Sequence, residues 1–160
     1  MFPRQTGLPI IESMSSRFLL GAAGWSQPEW VDSFYPSDMP EEWRLTYYNT
    51  QFECVFLAEA VWRQADTQTH RRWAEDTHEH FVFLLENASA AELPECLADR
   101  GVAVRKQDSR LIWFDRNTDM KSLARRLTEV ADDTPHYLIS ADAELGEVER
   151  VRTLLQLMGL

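Results

Sequence analysis

Five short apolar runs recur along the chain, with room for a helix between successive ones: "RFLLGAAG" at 17–24, "ECVFLAE" at 53–59, "HFVFLLE" at 80–86, "RLIWFD" at 110–115 and "HYLISAD" at 136–142. Each is nearly continuous in apolar residues rather than alternating, as in a strand covered on both faces. The stretches between and after them read as helices over 40–51, 67–78, 89–100, 118–132 and 144–158. In the last two, Leu123, Leu127 and Val130 form one apolar stripe and Val148, Val151, Leu155 and Met158 another, so each helix has one face to bury. Strand–helix alternation at this spacing predicts an α/β fold, a mostly parallel sheet of five or six strands with crossover helices. The sixth strand would be "VAVRK" at 102–106, which the sequence leaves open.

With 160 residues the chain is long enough for one domain with a sizeable core and short for two. Residues 17–160 are therefore read as a single domain. The first 16 residues lack a clear period and read as an arm, partly disordered unless "LPII" docks. No apolar run approaches the roughly 20 residues that span a bilayer, and the N-terminus lacks the apolar stretch of a secretion signal. The expectation is a cytoplasmic protein without a membrane partner. Cys54 and Cys96 have no Cys-x-x-Cys spacing, which argues against a disulfide framework or a zinc knuckle and for two small core residues. A formal charge of −10 repels phosphate backbones. The pairs Arg71/Arg72 and Arg125/Arg126 read as solvated helix faces, so no nucleic-acid partner is expected.

Three helix starts carry capping-box spacing: Ser26 with Glu29, Asp38 with Glu41, and Ser89 with Glu92. Pro28 suits a first turn, whereas Pro94 weakens the 89–100 helix. In a parallel sheet, ligands bind beyond the carboxyl ends of the strands, and Trp25 and Ser26 directly follow the first strand. They are candidate ligand-binding residues, although Trp25 reads equally well as packing. Trp30, Phe34, Tyr35, Trp43, Tyr47 and Tyr48 read as an aromatic cluster over the end of the sheet.

Residues 18–86 resemble the opening of the YecE-like family, the domain of unknown function 72 family. The likeness is carried in order by Gly21, Gly24, Trp25, Ser26, Trp30, Phe34, Tyr35, Pro36, Tyr47, Tyr48, Phe52, Val55, Arg63 and Trp73. The tail, a strand and helix twice over ending in Leu-Leu-x-x-x-Gly, is similar to the family's C-terminal end. The resemblance implies a barrel like that of triosephosphate isomerase and implies no established activity. It also marks departures. Phe56 and Ala58 stand where the family's second strand carries Glu and Asn, and Glu86 stands where a Lys is usual. Trp113, Asp115, Ser140 and Ala141 stand where Arg, His and an Asn pair are expected.

An eight-stranded barrel takes about 250 residues, so this chain is expected to form an incomplete barrel as a shortened, divergent member. Such a sheet is expected to leave two edges and an apolar inner face, covered by a second copy in a homodimer or by a protein partner. Arg63 is a further candidate ligand-binding residue, by binding an anion; it is equally readable as a structural pair with Asp66, Glu59 or a backbone carbonyl.

Glu59, Glu86, Asp115 and Asp142 each fall at the end of a predicted strand. Parallel strands finish on one side, so the four carboxylates would converge on a hard cation, Mg²⁺ or Mn²⁺, or else cap the helices that follow. His70, His78, His80 and His136 show no metal spacing, and the sequence offers no catalytic triad, P-loop or dinucleotide turn. The leading expectation is a non-catalytic protein acting through self-association or a partner, with no cofactor. The alternative is a small-ligand binder or metal-dependent enzyme with its site at the carboxyl ends of the strands.

Overall fold

The computed structural model describes residues 17–131 and 133–160. The expected arm at 1–16 lies outside the described residues. Among the described residues six strands follow in chain order: β1 (Phe18–Ala23), β2 (Cys54–Leu57), β3 (Val82–Glu86), β4 (Gly101–Val104), β5 (Leu111–Phe114) and β6 (His136–Ser140). Every pairing is parallel, in the spatial order β4-β3-β2-β1-β6-β5. The α-helices are α1 (Arg44–Gln51), α2 (Glu59–Gln64), α3 (Thr67–Glu75), α4 (Met120–Thr128) and α5 (Leu145–Met158). The fold is an α/β incomplete barrel, and the strand left open in the sequence is β4.

Strands separated by β1 and β6 would lie about 14 Å apart in a flat sheet, at about 4.8 Å per step. Yet the rings of Phe56 on β2 and Trp113 on β5 meet edge to face, with centroids 5.0 Å apart. The sheet is therefore strongly curled. Its two faces divide the side chains with period two, as the pleat requires. On the convex face Val55, Leu57, Phe83, Leu85, Ile112 and Leu138 pack in one core with the helical stripes of Leu123, Leu127, Val148 and Val151. On the concave face Cys54, Phe56, Leu84, Leu111, Tyr137 and Ile139 form a second core with Val104.

Among the described residues the inner apolar face expected to be exposed is largely covered: these concave residues are at most 4% exposed within the single chain, with Leu19, Val82, Val102 and Trp113 partly buried beside them. Curling brings them into contact with one another, and the segment 105–110 runs between the two edges of the sheet. It carries the chain from the end of β4 back to the start of β5 without a helix, a return that six extended residues span at about 20 Å. It is tied to both edges. The indole Nε1 of Trp113 donates to the Lys106 carbonyl at 2.9 Å, and Arg110 Nη2 donates to the Ala103 carbonyl at 3.3 Å.

The aromatic cluster is mostly core. Trp30 is buried, stacks on Phe52 at 5.9 Å, and donates through Nε1 to the Ala143 carbonyl at 2.9 Å. Trp43 departs from the expectation at 61% exposed. The 89–100 helix is two 3-10 turns, Ala90–Glu92 and Glu95–Leu97, with Pro94 between them, because a proline there withholds the amide a continuous helix needs. Of the three capping boxes only Ser89/Glu92 forms. The turn at Pro28–Trp30 starts from Gln27, not Ser26, and the turn at Glu41–Trp43 starts from Pro40, neither with a side-chain cap. Helix caps are made instead by Asp66, accepting from Thr69 N, and Asp119, accepting from Ser122 N.

Candidate functional site

The mouth of the curled sheet, at the carboxyl ends of the strands, opens into a pocket of about 780 Å³. Its shape follows from residue size. Ala23, Ala58 and Ala141 line it just at or beyond the ends of β1, β2 and β6, above the larger Phe56 and Trp113. Three alanines at the top layer leave hollow what the bulkier layer below fills. Gly24, at φ +90°, turns the chain off β1 into the pocket wall, a conformation that costs glycine little. Gln27 fixes that turn by donating from Nε2 to the carbonyls of Ala23 and Gly24 at 3.0 and 3.1 Å. Its Oε1 is the one buried side-chain polar atom without a hydrogen-bond partner among the described residues.

Of the sequence-derived candidates, Trp25 and Ser26 line this pocket. Both readings of Trp25 apply: its ring also packs at right angles on Trp73, 5.3 Å between centroids, and the Tyr35 hydroxyl donates to its carbonyl at 2.6 Å. Arg63 does not line the pocket. It sits against the Trp62 ring at 4.3 Å and pairs with Glu59 at 2.7 Å and Glu92 at 3.0 Å. It also donates to the Asn87 carbonyl. The guanidinium therefore acts as a structural tie, drawing Glu92 down to a pKa of about 2 with help from the Ser89 amide.

The four strand-end carboxylates fall into two locally satisfied groups. Glu59 accepts from Asn87 and Arg63, which hold its pKa below the usual range, and Glu86 accepts from the Glu59 amide at 2.9 Å. Asp115 accepts from Asn117 N at 2.8 Å. Asp142 accepts from Arg116 N and Nε; burial opposes its ionisation, yet those bonds and the Glu144 amide keep its pKa low. Among the described residues, no three His, Cys, Asp or Glu side chains are grouped to hold a metal ion. Asp115 and Asp142 shape loops; the helix after Asp115 is capped by Asp119, and the helix after Asp142 starts from Glu144 without a side-chain cap.

Sequence reasoning missed the pocket floor and the contribution of segment 105–110: Phe56, Trp113, Lys106 and Gln107 all line the pocket. Phe56, Ala58, Trp113 and Ala141 stood out only as departures from a family pattern. Counting inward positions from Cys54 and Leu111 would have placed Phe56 and Trp113 on the same face of the sheet. Lys106 carried no such signal, since its position depends on how 105–110 crosses the gap.

An incomplete parallel barrel with a ligand-sized hollow at its carboxyl mouth is the class of structure these features define. Residues 19–90 match the family model of protein of unknown function DUF72, and over this stretch the chain is similar to that family. The tail that also resembled the family lies beyond the matched residues. Among solved structures the chain is similar to a DUF72 family protein from Thermotoga maritima, at 14% identity and a TM-score of 0.43. The match covers 89% of this chain and 62% of that one, so the chain spans less than two thirds of that protein's length. No curated protein matches it.

Proposed function

We propose that the chain binds a small, largely apolar molecule in the mouth of its curled sheet. The observation that carries this reading is the hollow of about 780 Å³ between three alanines and a floor of Phe56 and Trp113, within the size range of small-molecule sites. The test is titration with 8-anilinonaphthalene-1-sulfonate, whose emission rises on entering an apolar site. Saturable binding to one site is expected, and Ala141→Phe, which adds bulk at an exposed mouth position, should abolish it while leaving the circular dichroism and cooperative melt intact. No binding, or equal binding by the folded variant, overturns the reading.

A second reading, association with another copy or a protein partner, is supported by β4 and β5 each having, among the described residues, one edge without a neighbouring strand. The self-covered concave core takes away the stronger motive for it. Light scattering over a dilution series tests it: a mass above one chain that persists on dilution favours self-association, and a monomer at every concentration counts against it.

A further inference from the structure

We infer that the mouth pocket selects an aromatic monocarboxylate, with the anion read by Lys106. The inference rests on the mouth being a ligand pocket and adds the chemistry of the ligand. Among the described residues Lys106 is the only formally charged one lining the hollow, and none of those lining it is Asp or Glu. Lys106 forms no salt bridge among the described residues, although the chain has 26 acidic residues for 16 basic ones. Carboxylates close to this mouth, by contrast, are already committed: Glu59 to Arg63 and Asp142 to Arg116. An unpaired ammonium at the rim of an apolar hollow complements one negative charge on an otherwise apolar body.

The placement of Lys106 is also coupled to the ring floor. Its carbonyl accepts from Trp113 Nε1, and the Trp113 ring packs edge to face on Phe56. One arrangement thus sets both the flat surface for a ring and the base of the lysine stem. Lysine lays its methylenes along apolar surface while its head stays solvated, which suits contact with a carboxylate at the pocket rim. Trp25, Phe56 and Trp113 offer ring faces and edges for an aromatic body.

The experiment pairs 2-naphthoate with neutral 2-naphthamide in calorimetric titrations of the wild-type chain, Lys106→Met and Lys106→Arg. Wild type should prefer the carboxylate; Lys106→Met should weaken naphthoate about tenfold, as for loss of one charge-assisted contact, and leave naphthamide unchanged. Lys106→Arg should restore most of the preference, and added salt should reduce it. If Lys106→Met keeps the wild-type ratio of affinities, the anion assignment fails while the pocket reading stands. If neither compound binds the wild type, both fail together.

Discussion

Removing one oxygen atom at Tyr48 tests how the first two strands are joined. The Tyr48 side chain rises from α1 into the space between β1 and β2, where its hydroxyl accepts from Ala22 N at 2.8 Å and donates to the Cys54 carbonyl at 2.7 Å. All three residues are buried, and burial pushes the phenol pKa well above its ordinary value, so the group stays a neutral donor and acceptor. Tyr48→Phe strands one backbone N–H and one carbonyl contact where water has no access. At about 1–3 kcal/mol for each unsatisfied group, discounted because the strands can close part of the gap, the expected loss is about 2–4 kcal/mol. With a urea m-value of about 2 kcal/mol/M, the unfolding midpoint falls by about 1–2 M at unchanged m. Tyr47→Phe is the control, because its hydroxyl has no hydrogen bond among the described residues; a change within about 0.5 kcal/mol is expected. A Tyr48→Phe loss as small as the control's would refute the bridging role.

Gly21→Ala on β1 should destabilise by about 3 kcal/mol, the upper end for overpacking, because an added Cβ would collide with the Cys54 carbonyl and Sγ. Cys54→Ala in the same chain should not rescue it, since the backbone clash remains; recovery in urea unfolding would refute this account. The Arg63 cluster predicts an acid limb. Glu59 and Glu92 have folded pKa values below their unfolded ones, so they bind fewer protons in the folded state, and their contribution is present above about pH 4.5 and lost as pH falls toward 2. Arg63→Gln should flatten the stability profile between those limits, lowering stability slightly at pH 7 and leaving it unchanged near pH 2; an unchanged acid slope would refute the coupling.

The β–α rhythm was legible because strands covered on two faces need continuous apolar runs, and those runs are local. All five predicted strands appear within a few residues of their expected ends, and the helical stripes at Leu123 and Val148 pack where their period required. Local chemistry failed where two signals competed. Ser26 and Glu29 have capping-box spacing, but Gln27 captures the turn by bonding back to Ala23 and Gly24. Glu59 reads as a strand end, yet the chain turns there into α2, a helix of six residues too short to show a period. The role of Arg63 was narrowed to an anion or a structural pair; Glu59 was among the named partners, whereas Glu92 was not, since it lies 29 residues away.

The sequence by itself determined the element order, the parallel sheet and the family opening, because each is written in contiguous periodicity or in an ordered motif. Only the tertiary structure decided how the sheet manages its edges. Curl is a collective property of strand twist, and it brings Phe56 against Trp113 across two intervening strands. That contact buries a concave face expected to be open, gathers three alanines into a hollow, and sets Lys106 beside it. No window of the sequence contains these residues together, since their meeting depends on closure in three dimensions.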